Sequence, residues 1–560
     1  MCDVHSMNRK QTSLILAMAT VIQLPLLFIG IDLADTGFYM TFYDQIFKAP
    51  GSVEYNFMYY LTGIVGGVWH AVWPGVFSLR VLGMLVNLWT VWVLTRIIQD
   101  WRAVMLSVAI ILFGLYTAPM TFNYDTLTSA LTVTGFWFML RTSDGGWKWP
   151  LFAGIIMGIN VFSRISNIAG LGYILYYLAG AIWEGRRMLR GAVWYAVGWL
   201  TGVGLVLLLM ACLNHLCVFE INLKELFSIA GASEGEASHG LGNLMTAQIH
   251  AWYRILKFTC VSGVLLMVFL WVRKNMVLRV LRIAMMIIVA VVGFYVIYMS
   301  SPVTVAVGIS LAGCIATFVN SRNRYLWNVA LCSLLMMFIM PLGSDGGIYN
   351  NGTLVAWLSL TVAMACLVGG QDLKVSWLVP GFGASAVLTC VFCLMMMVYV
   401  VRNGVYLDDS HIGDKLVKVS GHNAYTSLQR GKLIDSLVSD LKRYVHPGDT
   451  LMVYGSGPTL NYLTQTRPWL GCSWPEQFMA SSLRHRLNTA EGRPVIAILR
   501  FNTLGPHFGI PSVDFAKGGD ENIYHNRTKS AVLYDFLELN TYRPVYEGEY
   551  MVIYRYVNDY

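Results

Sequence analysis

Residues 186–213 read RRMLRGAVWYAVGWLTGVGLVLLLMACL. Arg186, Arg187 and Arg190 stand at the start, and residues 192–213 carry no charge. An apolar run of about 20 residues is long enough to cross the ~30 Å hydrocarbon core of a bilayer. Basic residues gather at the cytoplasmic ends of such runs. The stretch therefore reads as one membrane span that starts in the cytosol.

The pattern recurs along the chain. Of 560 residues, 56% are hydrophobic and 12% charged, against roughly 25% charged in an average soluble protein. Mean hydropathy is +0.56. The net charge of +8 resides in short loops between apolar runs. Membrane topology accounts for it, and no nucleic-acid partner is expected. Arg9 and Lys10, Arg96 and Arg102, Arg141 and Lys148, Arg273 to Arg282, Arg322 and Arg324, and Lys374 mark further cytoplasmic ends. The intervening loops are acidic or neutral. One assignment satisfies this alternation, with spans near 13–31, 77–98, 103–120, 125–141, 149–163, 165–183, 192–213, 254–272, 283–299, 302–319, 325–341, 353–370 and 376–400. The expected fold is a polytopic α-helical membrane protein of about thirteen transmembrane helices. Its N-terminus is inside, with residues 9–31 resembling a signal anchor kept as the first span. Its C-terminus is outside.

Residues 57–74 (FMYYLTGIVGGVWHAVWP) are also apolar enough to span. Counting them would invert every later loop and put Arg186, Arg187 and Arg190 outside. Residues 38–48 and 57–74 are therefore expected as helices lying at the outer interface, within a first outer loop covering 32–76. Tyr59, Tyr60, Trp69 and Trp73 suit that position.

From residue 401 charged residues and turn signals return, and 401–560 is expected as a soluble α/β domain outside the membrane. Residues 427–445 and 528–540 have helical periodicity. LMVYG (451–455), PVIAILR (494–500) and YMVIYRY (550–556) read as strands. Of ten cysteines, most lie inside apolar runs, and Cys472 alone falls in the soluble domain. Cys212 and Cys217 are near enough in sequence to pair. No zinc-type spacing occurs.

Charges at a membrane boundary cost free energy, so they are functional candidates. The segment IDLADTGFYMTFYDQIF follows the first span. Asp32 and Asp35, one helical turn apart, share a face on a helix. They serve either as a general base with a positioning or metal-binding partner or as caps of the helix that follows. Tyr124 and Asp125 lie in the next outer loop, and Asp125 is a second acid or a cap. Arg164 interrupts an apolar stretch at the outer face, near Asn167. It grips a phosphate or pairs with one of the aspartates. The loop 214–253 carries His239 and His250, with Arg254 and Lys257 beyond it. GSDGGIYNNG (343–352) is Gly-rich around Asp345 and lets backbone approach a ligand, or is simply a turn.

In this order and context the chain resembles the GT-C glycosyltransferases, polytopic enzymes that use polyprenyl-phosphate sugars. Protein O-mannosyltransferases and lipid A aminoarabinose transferases belong to this class. The resemblance rests on the acidic motif after the first span (Asp32-Leu-Ala-Asp35), the interfacial helices, the Phe-Asn-Tyr-Asp125 loop, the long loop after the seventh span and the final α/β domain. LMVYGSGPTLNYLTQTRPWL (451–470) resembles a segment of that domain in bacterial relatives. The first motif is Asp-x-x-Asp rather than adjacent acids.

The resemblance implies transfer of a sugar from a polyprenyl-phosphate donor to a glycan, lipid or protein acceptor at the outer face of a bacterial inner membrane. Asp35 is the favoured base, with Asp32 and Asp125 as further catalytic candidates. Tyr124, Arg164, Asn167, His250, Arg254 and Asp345 are candidates for substrate binding. No cofactor is implied, and a monophosphate donor does not require a metal. The competing readings are a polymerase or ligase using diphosphate-linked glycans, and a transporter or flippase. A transporter is expected to show paired, interrupted repeats. A reporter that works only outside the cytosol, fused after residue 401, is expected to be active. Activity of a cytosolic reporter there would invert the topology.

Overall fold

The computed structural model describes residues 7–557 apart from 120, 145, 232–239, 276–277, 345, 370–380, 409–414, 420, 422, 505–507 and 519–524. The membrane part opens with α1 (Arg9–Gln23), α2 (Asp35–Gln45), α3 (Tyr60–Val72), α4 (Val76–Ile97), α5 (Trp101–Gly114) and α6 (Tyr124–Leu140). It continues with α7 (Lys148–Asn160), α8 (Leu175–Glu184), α9 (Arg186–Cys212) and α10 (Leu216–Ala230). It closes with α11 (Leu241–Asn275), α12 (Arg279–Tyr298), α13 (Pro302–Asn320), α14 (Arg324–Ile339), α15 (Gly352–Val368) and α16 (Phe382–Asn403). A helix stands at each of the expected span positions. Among the described residues, eight helices are long and apolar enough to cross a membrane, and three shorter apolar ones accompany them. The chain is a polytopic membrane protein.

Local sequence sets the helix ends. Asn8 caps α1 in a capping box with Gln11. Ser301 caps α13 with Pro302 at its first position. The first span ends earlier than expected: after Gln23 the helix tightens to a 3₁₀ turn that contains Pro25 and stops at Leu27. The chain beyond it is irregular, and Ile29 bridges Tyr425. α2 and α3 fall where interfacial helices are expected. At 13 residues, α3 is about 20 Å long, as α7 is, and shorter than the hydrocarbon core. α2 does not lie on a lipid face, because nine of its eleven residues are buried in protein. Gly63, Gly66 and Gly67 of α3 admit Phe42 and Tyr43 of α2 and Ile46 just beyond it. Cys212 and Cys217 are separate thiols.

α7 and α9 make the tightest helix pair. Gly154 and Gly158 of α7 meet Gly198 and Gly202 of α9, and a Cβ on any of the four would run into the partner's backbone. This is small-residue packing of the kind membrane helices use where hydrophobic burial supplies no drive. It anchors the chain that runs on to Arg164.

The C-terminal region is a small α/β unit. It contains α17 (Leu428–Leu441), α18 (Thr459–Thr464), α19 (Ala480–Thr489), α20 (Val513–Ala516) and α21 (Arg527–Leu539). β1 (Leu416–Lys418) and β2 (Tyr425–Ser427) form an antiparallel pair. The main sheet comprises β3 (Thr450–Tyr454), β4 (Arg467–Pro468), β5 (Val495–Leu499), β6 (Tyr542–Glu547) and β7 (Met551–Tyr556), in the order β4-β3-β5-β7-β6. β3 is parallel to β4 and β5, and β7 is antiparallel to β5 and β6. The strands and helices read from the sequence are present, and β1, β2, β4 and β6 are additions to them.

Contacts on two sides help fasten the unit to one end of the bundle. Thr459, at the start of α18, donates its N–H to Leu33 O at 3.0 Å and its hydroxyl to Asp32 O at 2.9 Å. α2 lies against it, with Gly37 so close that a Cβ would overlap the Thr459 backbone. On the other side Arg486 of α19 pairs with Glu54 and, at 3.4 Å, with Glu225 of α10. Loop 32–76, α10 and the α/β unit thus share one face of the molecule. Gly37→Val is expected to push α18 off α2 and cost at least the 1–3 kcal/mol typical of overpacking, or about that. Faster proteolytic release of the α/β unit from detergent-solubilised protein, with a lower melting midpoint, checks it.

Candidate active site

The two aspartates of the first motif have separate environments. Because the backbone is irregular up to Ala34, they do not share a helical face, contrary to the expectation from spacing. Asp32 is fully buried. Its Oδ1 accepts the N–H groups of Ala34 at 3.0 Å and Thr36 at 2.9 Å, and its Oδ2 accepts the Thr36 hydroxyl. It therefore caps α2, whose formal cap residue Ala34 has no side-chain acceptor. Burial pushes the Asp32 carboxyl above its usual range, while Thr36, Arg80 and Ala34 pull it back. Asp35 is the first residue of α2 and half-buried. A carboxylate there is favoured by the helix dipole. Tyr406 donates its hydroxyl to Asp35 Oδ2 at 2.5 Å.

A set of buried charges holds this corner. Arg80 of α4 donates to Gly30 O at 2.5 Å and to Ile29 O at 3.3 Å, replacing the hydrogen bonds that the broken first span leaves open. Asp408 Oδ2 accepts Ile31 N and Thr426 Oγ1, both at 2.7 Å, and Asp408 Oδ1 lies 3.5 Å from Arg430 Nε. The Arg80 guanidinium is within electrostatic reach of both Asp32 and Asp408. All four side chains are buried.

Around Asp35 stand aromatic rings. Tyr39, one turn on in α2, meets Tyr124 edge-on at 5.8 Å, and Tyr124 stacks on Tyr59 at 4.3 Å. Asp35 and Asp125 both lie within electrostatic reach of the Tyr39 and Tyr124 phenols. Asp125 is not a cap: Asn123 caps α6, accepting Thr126 N at 3.0 Å. Asp125 occupies the first turn, 4.0 Å from Arg164. Arg164 donates to Asn351 Oδ1 and Met340 O, both at 2.5 Å. Its Nε and the Asp125 Oδ1 are buried with no hydrogen-bond partner among the described residues. Buried polar atoms of that kind call for an explanation, because each costs about 1–3 kcal/mol.

The structure thus brings together Asp35, Tyr124, Asp125 and Arg164. Asn167 is committed elsewhere, donating to Thr128 Oγ1 at 2.9 Å and Asn160 O at 3.0 Å. His250, Arg254 and Lys257 lie on the exposed face of α11. His239 and Asp345 lie outside the described residues. Sequence reasoning missed Arg80, Tyr406, Asp408 and Arg430. For Arg80 a signal existed, since it is the lone charge in an apolar run that extends to Thr95. Among the described residues, no three His, Cys, Asp or Glu side chains gather into a cluster that could hold a metal ion.

No family model matches the chain, and no curated protein matches it. Among solved structures the chain is similar to ArnT from Cupriavidus metallidurans, crystallised bound to undecaprenyl phosphate. The match covers 98% of each chain at 12% identity, with a TM-score of 0.36. The likeness is loose.

Asp32→Ala is expected to destabilise the protein by about 1–3 kcal/mol, since it strands the Thr36 and Ala34 N–H groups in the interior. A lower thermal midpoint is the readout. An unchanged midpoint with lost activity would instead give Asp32 a chemical role.

Proposed function

We propose that the chain is a membrane glycosyltransferase that moves a sugar from a polyprenyl-phosphate donor to an acceptor hydroxyl at the outer face of the cytoplasmic membrane. The observation that carries this reading is the convergence at one site of a half-buried acid, Asp35, and a fixed cation, Arg164. Tyr124 and Asp125 lie between them, and unpartnered polar atoms remain on Arg164 and Asp125. A transfer between hydroxyl and lipid phosphate needs those parts. A carboxylate about 3 Å from the acceptor hydroxyl takes its proton as the new bond to the anomeric carbon forms. The bond from that carbon to the phosphate oxygen breaks, and the lipid phosphate leaves with the electron pair. Charge grows on the phosphate as it departs, so a preorganised guanidinium stabilises the transition state more than the ground state. A single direct displacement inverts the anomeric centre.

In this mechanism Asp35 is the base. Arg164 faces the phosphate through Nε, while Asn351 and the Met340 carbonyl fix the other end of its guanidinium. Asp125 keeps Arg164 balanced in charge until the phosphate arrives. Tyr59 and Tyr124 offer apolar ring edges to the sugar. His250 and Arg254, exposed on α11, suit lipid headgroups or an approaching acceptor better than the reacting atoms. A donor tail would lie among the apolar helices with its phosphate at their ends.

Asp35→Asn is expected to lower turnover of a polyprenyl-monophosphate sugar by about 10²–10⁴, the usual worth of a general base. The protein should remain folded. The assay uses purified full-length protein in liposomes, with monophosphate- and diphosphate-linked donors side by side. Full activity of Asp35→Asn would remove the base assignment. Turnover of the diphosphate donor alone would point to a polymerase or ligase instead.

A further inference from the structure

We propose that Tyr406 is a positioning residue for Asp35, delivered from the segment that joins the last membrane helix to the α/β unit. The unit thereby becomes part of the site rather than an accessory to it. The proposal rests on reading Asp35 as the base. It starts from a sequence of fixed points along residues 403–408. α16 ends at Asn403 against Gly404, whose φ of +77° suits glycine and stops the helix. Tyr406 N then donates to Tyr116 O at 3.0 Å. Val405 bridges Asp408, and Asp408 N donates to Val405 O at 3.1 Å, closing a four-residue turn. Leu407 within it has a φ of +49°. A leucine in the left-handed region persists only where its surroundings over-determine it. Here they do: Tyr116 holds one side of the turn, and the buried Asp408, bonded to Ile31 N and Thr426 and facing Arg430, holds the other.

The product of this clamping is the direction of one side chain. The Tyr406 hydroxyl reaches Asp35 Oδ2 from a position 371 residues away in sequence. Burial, and next the Asp35 charge, keep the phenol protonated. It is therefore a permanent donor and does not itself accept the substrate proton. A donor fixed on Oδ2 sets the rotation of the carboxylate and hence where Oδ1 points. Catalysis by a positioned base depends on that angle, and a small misplacement of a reacting group is costly.

Three variants of the full-length protein in liposomes test this, with turnover of a polyprenyl-monophosphate sugar as the probe. Tyr406→Phe keeps the ring and removes the donor. Its kcat is expected to fall about ten- to hundredfold, with KM for the lipid donor within about twofold of the parent and an unchanged melting midpoint. The acid limb of its pH–rate profile should move upward, because a hydrogen bond to a carboxylate favours the charged form. Replacing Tyr406 with 3-fluorotyrosine leaves the fold alone and strengthens the donor, so the same limb should move downward. Asp35→Asn serves as the reference. If Asp35→Asn is inactive while both Tyr406 variants keep the parent kcat and pH profile, the positioning role is wrong and the base assignment stands. If Asp35→Asn is active, the base assignment itself fails. A Tyr406→Phe protein whose kcat and melting midpoint fall together, with the fluorotyrosine profile unmoved, would make Tyr406 merely structural.

Discussion

The charges buried at the junction of bundle and α/β unit are the constraint on which the rest depends. Asp32, Arg80, Asp408 and Arg430 come from the end of the first span, from α4, from the connecting segment and from α17. A buried ion left without its partner costs several kcal/mol, so each of these needs the others in place. Their arrangement explains why the chain after Leu27 does not stay helical. The carbonyls of Ile29 and Gly30 turn to Arg80, and the N–H of Ile31 turns to Asp408. The Gly30 N–H and the Phe28 carbonyl pair with Tyr425 at 2.8 and 2.7 Å. The Phe28 and Ile29 N–H groups stay with the Pro25 carbonyl, and the others bond to distant parts of the chain, which is what permits irregular backbone at a membrane boundary.

From that corner the site follows by short steps. Asp32 is spent on starting α2, and starting α2 places Asp35 at its first position, beside the connecting segment. α2 is locked from both sides: α3 packs against it through glycines, and α18 lies against Gly37. Opposite, the interlocked glycines of α7 and α9 hold the chain that leads into Arg164, and Asn167 pins the next turn to Thr128 of α6. Two rigid supports thus face each other across the Tyr59–Tyr124 stack. The two aspartates take different places from their surroundings: Asp32 is enclosed and caps α2, and Asp35 stands half-buried in its first turn.

Much of the fold was legible because a bilayer imposes a coarse code. Length of apolar run and placement of arginines located a helix at each expected position. The α/β unit was legible in its core strands, β3, β5 and β7, whose apolar pattern is dense. β4 and β6 were not, since β4 has two residues and β6 is largely exposed. The site was legible only in part. Asp35, Tyr124, Asp125 and Arg164 announce themselves as polar groups at span ends. Spacing put Asp32 and Asp35 on one helical face, but α2 begins only at Asp35 and Asp32 stands before it as its cap. Asn167 and Asp125 show the same limit in reverse. One looked like a ligand group and is a packing bracket, and the other looked like a cap where Asn123 already served. Tyr406 and Asp408 carry no local mark at all, because what they do is decided by contacts across the whole chain.

Building the site from such distant pieces follows from where polar chemistry can be housed. Within the hydrocarbon core a backbone must satisfy its own hydrogen bonds, so it stays helical and presents only side chains. On the proposed reading, the site needs bent backbone, paired charges and donors at set angles. Those fit only at helix ends, where loops are short and each contributes a residue or two. Such contributions need a common reference, and loops a few residues long do not supply one. The α/β unit does, because its core is stiff and it touches α2 and α10 as well as the segment bearing Tyr406. Orientation of Asp35 and docking of the unit are then one event seen from two sides. Coupling between two sites is reciprocal, so on the proposed reading a ligand that orders Asp35 also tightens the hold on the unit.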